Sequence, residues 1–255
     1  MKNVIPLDEL RSPTPKSLIK SADGLLLDWD GCCAIDNVLV PEAAEFLRLH
    51  QTRLAIMSNN STHTPEEMRT ILEKSGIVLP PERILLAGMF AIRRVKDLGL
   101  RRAMIVGSPA MKAFAQRSGV EVVREEAQVV VLMRDTRVTY AALERAANCL
   151  AGGAKLIVAN PDGSHRGANA RIRLETGALF ATLAAAVDLS KAETEIIGKP
   201  SEGFFQEACR IIGTLPERTV MLGDNPSTDI EGARRVGMPS LLVTPTPQEF
   251  FASLL

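Results

Sequence analysis

No C-x-x-C pair occurs in the 255 residues, and Cys32, Cys33, Cys149 and Cys209 fall into no metal-ligand spacing, which excludes a thiolate zinc site and a disulfide framework. The four thiols are expected to be reduced and mostly buried. Net charge is missing too: thirty basic residues balance thirty acidic ones, so no global positive field gathers nucleic acid or an anionic membrane. The longest near-apolar helical stretch, Gly177 to Val187, is too short to span a bilayer, and the opening Met1-Lys2-Asn3-Val4-Ile5-Pro6 turns polar before a signal core forms. A soluble, cytoplasmic protein is expected. There is no G-x-S-x-G elbow for Ser/His/Asp hydrolysis: Ser164-His165 reads as loop, His50 as a helix residue, and His63 as a capping or solvated side chain. No internal repeat or low-complexity tract appears.

Hydrophobic residues make up 46% of the chain and charged ones 24%, enough apolar surface for one large domain or two smaller ones. Short apolar runs alternate with helical patterns: Leu25–Asp28, a helix near Pro41–Leu49, Leu54–Ser58, then a helix near Pro65–Lys74 with Thr64 as N-cap and Glu67 completing a capping box. This rhythm predicts βαβ units and a parallel sheet. Further on, Ala103–Gly107, Val129–Met133 and Lys155–Ala159 read as strands, and helices are predicted near Pro109–Ser118, Tyr140–Ala151 and Thr176–Val187. A segment from Asn160 to Arg173, rich in Gly, Asn and Arg, reads as a loop. Residues 83–185 are accordingly taken as an inserted α/β unit, with 1–82 and 186–255 forming a discontinuous core.

Four short polar stretches follow or adjoin these elements. Asp28 and Asp30 are two apart and share a face if extended; burying both inside a strand would be costly, which places them at its exposed end, where Gly31 allows a sharp turn. Gly223-Asp224 likewise ends an apolar run, and Asp229 falls in the first turn of a helix ending near Gly237. Beyond the carboxyl ends of parallel strands these carboxylates would converge and repel unless a cation sat among them; an all-oxygen set of this kind suits Mg²⁺. Ser58-Asn59-Asn60 ends another strand with a hydroxyl, amides and backbone N–H groups fit for an anion. Lys199 precedes a helix with the apolar stripe Phe204, Phe205, Ala208 and Ile211, a place unfavourable to the helix dipole unless the lysine serves an anion or carboxylate.

Taken in order, D-W-D-G, S-N-N, G-K-P and G-D-x-x-x-x-D resemble the four motifs of the haloacid dehalogenase superfamily. The insertion between the second and third motifs, with Asn160-Pro161-Asp162, is similar to the branch containing 4-nitrophenylphosphatase, ribonucleotide monophosphatase and pyridoxal phosphatase. The resemblance implies an α/β fold, with a Rossmann-like doubly wound parallel-sheet core and an inserted α/β cap domain. It implies a phosphatase acting on a small-molecule phosphate ester through an aspartyl-phosphate: Asp28 as nucleophile, Asp30 as general acid and base, and Lys199 pairing with Asp28. Ser58, Asn59 and Asn60, with Lys199, would bind the phosphoryl group. Selectivity is expected from the segment Asn160 to Arg173, where Asp162, His165, Arg166, Arg171 and Arg173 crowd polar and positive groups together, with Asn160, Asp162 and Arg166 facing the substrate. Mg²⁺ would be held by Asp28, the Asp30 carbonyl and Asp224, with Asp229 supporting. Association of copies through the cap stays open. The alternative is a phosphoryl-accepting or phospho-ligand-binding module, which needs neither so large an insertion nor an acid such as Asp30.

Overall fold

The computed structural model describes residues 14–166 and 171–255; the opening segment read above therefore lies outside the described residues, as does the side chain of Arg166. In chain order the strands are β1 (Gly24–Leu27), β2 (Ala34–Ile35), β3 (Val38–Leu39), β4 (Leu54–Ser58), β5 (Ile84–Leu86), β6 (Arg102–Val106), β7 (Glu121–Val122), β8 (Val129–Leu132), β9 (Lys155–Val158), β10 (Ser164–Arg166), β11 (Ile172–Leu174), β12 (Thr194–Ile196), β13 (Thr219–Gly223) and β14 (Ser240–Leu242). They build two five-stranded parallel sheets, ordered β14-β13-β1-β4-β5 and β12-β9-β8-β6-β7, and two small antiparallel hairpins, β2–β3 and β10–β11.

Helices cover both faces of each large sheet, which is why its strands read as continuous apolar runs rather than alternating ones. In β1, Leu25 and Leu27 pack in one layer with Phe46 and Phe251, while Leu26 packs in the other with Phe205 and Met221. In β8, Val129 and Val131 meet Ile92 and Met111, while Val130 and Leu132 meet Leu150 and Leu183. Phe205 and Phe251 are both fully buried, and truncating either to alanine should cost about 3–5 kcal/mol. The capping box is formed, with Glu67 N donating to Thr64 Oγ1 at 3.4 Å and Thr64 N to Glu67 Oε2 at 2.8 Å. Among the described residues no helix is long and apolar enough to cross a membrane.

Three segments differ from expectation. The stretch from Asn160 to Arg173 is not all loop: β10 and β11 pair across it, with His165 opposite Arg173. Immediately after Asp30 the chain forms the β2–β3 hairpin, whose turn residues Asp36 and Asn37 have φ of 48° and 62°, the mirror-image turn geometry that suits a tight hairpin. The helix after β13 opens with a wide π-helical turn, Pro226–Ile230, before the regular Glu231–Arg235; Asp229 falls in that first turn, as expected, but the turn is wider than an α-helical one. Ile84–Leu86 pairs in the first sheet and Thr194–Ile196 in the second.

Candidate active site

In the first sheet the chain leaves β1 on one side towards β4 and β5 and returns on the other at β13 and β14, so strand order reverses between β1 and β13. A crevice at the carboxyl ends of the strands belongs at such a point. Leu27 and Leu222 are register partners, and Asp28 and Asp224 emerge just beyond them, Asp28 N donating to Leu222 O at 2.9 Å. Ser58 ends the neighbouring β4. Close packing demands glycine twice here: a Cβ on Gly223 would strike the Asp229 carboxylate, and one on Gly31 would strike that of Asp224.

Lys199 is carried on the loop between β12 and the helix Glu202–Ile212 and is 2% exposed. Its ammonium lies 2.5 Å from Asp28 Oδ1 and 2.6 Å from Asp229 Oδ1. Burial works to lower the lysine pKa, but the charges of Asp229 and Asp28 outweigh it and hold the ammonium well above its ordinary range. Burial pushes Asp28 up to about 7, with Asp224 and Asp30 adding to the rise and Lys199 opposing it. Burial likewise pushes Asp229 up to about 6, against the pull of Lys199. Asp224 is raised by burial and by the charge of Asp229. One lysine thus leaves the carboxylates under-neutralised.

Asp28, Asp224 and Asp229 each offer an oxygen within 4.8 Å of the others. Such a donor set, hard, acidic and short of positive charge, fits a divalent cation of the Mg²⁺ or Ca²⁺ type. Asp229 is already engaged, with Oδ1 on Lys199 and Oδ2 accepting from Asn225 N at 3.0 Å, which leaves Asp28 and Asp224 as the more available pair. Asp30 stands apart on the cleft wall with its surface open to solvent. Enclosure by the cleft still raises its carboxyl, against the charges of His165 and His63 and a hydrogen bond from Asn60.

The structure brings together Asp28, Asp30, Ser58, Asn59, Asn60, Asp162, Lys199 and Asp224 on one cleft of about 670 Å³. Asp229 lies behind it, fully buried, and so does Asn160 at 0% exposure. Ser58 Oγ accepts from Asn60 N at 3.1 Å, and Asn60 Oδ1 accepts from the backbone of Thr62 and of His63 at 3.0 Å, so these side chains shape the turn around the expected anion pocket. The facing wall comes from the segment carrying the second sheet, through Arg134, His165, Arg173 and Glu175. Glu175 Oε1 is 2.7 Å from His165 Nδ1 and 3.2 Å from Arg134 Nε; burial raises its carboxyl while both neighbours oppose the rise. The sequence reading missed Arg134, Glu175 and the Asp36-Asn37 turn. Their signals were present: Arg134 closely follows the apolar run of β8, and Asp36-Asn37 stands between Ala34-Ile35 and Val38-Leu39 as a hairpin turn should.

Fold and site together define a class of α/β protein that gathers carboxylates and a buried lysine at a parallel-sheet switch point, facing a second α/β unit. Comparison with known proteins gives the same class a name. A haloacid dehalogenase-like hydrolase model matches residues 25–121, and a related HAD-hydrolase-like model matches residues 196–245. A dihydroxyacetone phosphatase of Corynebacterium glutamicum (strain R) is 30% identical over 225 residues, covering 86% of this chain and 79% of that protein. A thermostable p-nitrophenyl phosphatase (NPPase) double mutant from Geobacillus stearothermophilus superposes with a TM-score of 0.77 at 28% identity, covering 87% of this chain and 88% of that one. The p-nitrophenyl phosphatase from Archaeoglobus fulgidus shares the fold at a TM-score of 0.81 and 21% identity, covering 92% and 91%. The chain belongs to the haloacid dehalogenase-like hydrolase family.

Proposed function

We propose that the chain hydrolyses phosphate monoesters of small molecules, with Asp28 as nucleophile and Asp30 as general acid and base. The observation that carries this reading is the pairing of buried Asp28 with Lys199 at the end of β1, while a second carboxyl, Asp30, faces the same cleft. Family membership and relatives named as phosphatases support the reaction class.

In this reading an Asp28 oxygen attacks phosphorus as the ester P–O bond breaks, giving an aspartyl-phosphate, and the Asp30 carboxyl donates its proton to the departing oxygen. A raised pKa suits Asp30 to that donation. Water then attacks the same phosphorus, Asp30 takes its proton, and inorganic phosphate leaves with Asp28 regenerated. Lys199 holds Asp28 in place and offers positive charge to the phosphoryl oxygens, beside the Ser58 hydroxyl and the backbone N–H of Asn59. Asp28 and Asp224, with the Asp30 carbonyl, would hold Mg²⁺, and Asp229 would support the site. When bound, the cation supplies countercharge that lets an anionic ester approach an anionic nucleophile.

We assign the first sheet to a catalytic core and the second to an inserted cap, with division by strand membership after residues 86 and 196 rather than at 83 and 185. The cap wall of Arg134, His165, Arg173 and Glu175 would meet the leaving group, Arg166 belonging to the same hairpin. The free thiols of Cys32, Cys33, Cys149 and Cys209 fit a reducing cytoplasm.

The deciding experiment is phosphate release from an aryl phosphate with and without Mg²⁺. Release should depend on the cation and vanish in Asp28→Asn. Wild-type rates in Asp28→Asn, in a preparation free of other phosphatases, would remove the nucleophile assignment.

A further inference from the structure

The Asn59 side chain uses all of its hydrogen-bonding groups within the protein. Its Oδ1 accepts from the Lys199 backbone N–H at 2.7 Å, and its Nδ2 donates to the Lys199 carbonyl at 3.1 Å and to Asp162 Oδ2 at 2.8 Å. Both amide donors are therefore used, and the amide brackets the backbone of the lysine whose ammonium holds Asp28. Its own backbone is held as well, since Asn59 O accepts from Asn160 Nδ2 at 2.8 Å.

Asn160 has nothing left to give a ligand. The second Nδ2 proton goes to Thr176 Oγ1 at 3.0 Å, Oδ1 accepts from Asp162 N at 3.2 Å, and the residue has no accessible surface. Thr176 in turn lies 3.3 Å from Ser61 Oγ, which accepts from Arg134 N at 3.0 Å. A chain of hydrogen-bonded polar groups, buried at Ser61, Asn160 and Thr176 and half-buried at Asn59 and Asp162, thus crosses from the end of β4 in the first sheet to the segment carrying the second. Such networks specify one arrangement because each unpaired member would be expensive. The backbones pack equally closely: Gly198 N donates to Ala159 O at 2.8 Å, and a Cβ on Gly198 would collide with the Asn59 amide.

We propose that Asn160 and Asp162 are positioning residues rather than substrate contacts: Asp162 holds the Asn59 side-chain amide and Asn160 the Asn59 backbone carbonyl, and the Asn59 amide fixes the Lys199 backbone and so seats the ammonium over Asp28. Correct docking of the inserted unit is then a condition for chemistry in the core, whichever ester is bound. This inference rests on the phosphomonoesterase reading of the site, and it departs from the expectation that Asn160 and Asp162 recognise the leaving group.

The test compares Asp162→Ala, Asp162→Asn and Asn160→Ala on one aryl phosphate and a panel of alkyl phosphates. Amide hydrogen exchange across residues 196–204, which contain the Lys199 N–H, is followed in parallel. Misplacing a reacting group through a remote change costs up to about 100-fold, so both alanine variants should lose kcat roughly 10- to 100-fold, by a similar factor on every substrate, with KM and substrate ranking preserved. Exchange at the Lys199 amide should quicken in both. Asp162→Asn, which keeps an oxygen facing the Asn59 amide, should recover most of the turnover and the protection. A general folding defect would not be rescued in this way. Reordered substrate preference with raised KM in Asp162→Ala, equal damage in Asp162→Asn and Asp162→Ala, or unchanged exchange in both alanine variants would each overturn the proposal. If the wild type released phosphate from no ester, the functional reading would fall, while the exchange measurements would still decide the positioning role.

Discussion

A lysine with 2% exposure between two carboxylates is a balance of large opposing terms. Desolvating three charges is expensive, and their mutual attraction repays it only while all three remain. Lys199→Met should therefore abolish turnover and, in metal-free protein, lower stability by about 3–5 kcal/mol, the usual cost of stranding a buried charge. Denaturant melts check this, and a loss below about 0.5 kcal/mol would mean that the carboxylates adapt by taking up protons. The side chains that meet at the cleft stood out in the sequence at this scale, because carboxylates and a lysine at the ends of apolar runs contradict the local preference for burial or solvation. The partners of Asn59 and Asn160 were not legible, since contacts such as Asn59 to Lys199 span 140 residues.

At the scale of elements, two hairpins flank the cleft. The β10–β11 pairing sets His165 opposite Arg173, and both side chains line the cleft wall facing Asp28. Among the described residues the Arg173 side chain has no hydrogen-bond or ion-pair partner, whereas Arg134 and His165 share Glu175. Arg173→Ala should therefore lower kcat/KM for esters carrying a second anionic group more than for neutral ones, leaving a small aryl phosphate nearly unaffected. A substrate panel decides this, and uniform loss across it would assign Arg173 to closure or folding. Gly198→Ala tests the loop that carries Lys199: the added methyl would press on the Asn59 amide and the Ala159 carbonyl. Overpacking of this kind costs about 1–3 kcal/mol, visible in a thermal melt alongside reduced turnover; unchanged values would show that the loop yields freely. The βα elements and the Thr64 capping box were readable from apolar runs and start signals, which are local. The β10–β11 hairpin was obscured because its strands are three residues each and its exposed residues carry no clean alternation.

Across the whole molecule, the crowded carboxylates tie stability to pH and, on the proposed reading, to a cation. Asp28 is raised to about 7 and Asp229 to about 6, above the ordinary aspartate value of about 4. A carboxyl with a raised folded pKa keeps its proton in the fold at pH values where the unfolded chain has lost it. Its contribution without metal is therefore fully present at low pH and is lost as pH climbs from about 4 through 7. Lys199, raised in the other sense, contributes throughout that window, since both its folded and unfolded values lie above it. A divalent cation held by these carboxylates would bind their ionised forms, so its stabilisation should grow as the metal-free fold weakens. The increase in Tm on adding Mg²⁺ should accordingly be larger at pH 8 than at pH 5.5, as scanning calorimetry can measure; equal shifts at both would separate the cation from these carboxylates.

The sequence by itself determined the α/β fold of parallel sheets and the family, and it singled out the carboxylates and lysine that the fold gathers at one cleft, because apolar runs, caps and glycine-bearing turns act over a few residues. Only the tertiary structure decided that Asp229 sits behind the cleft on Lys199, that Asn160 has no accessible surface, and that Arg134 and Glu175 complete the opposite wall. Those outcomes depend on which strand ends face one another across two sheets. That is a question of long-range packing and hydrogen-bond satisfaction, and no short window of residues contains the answer.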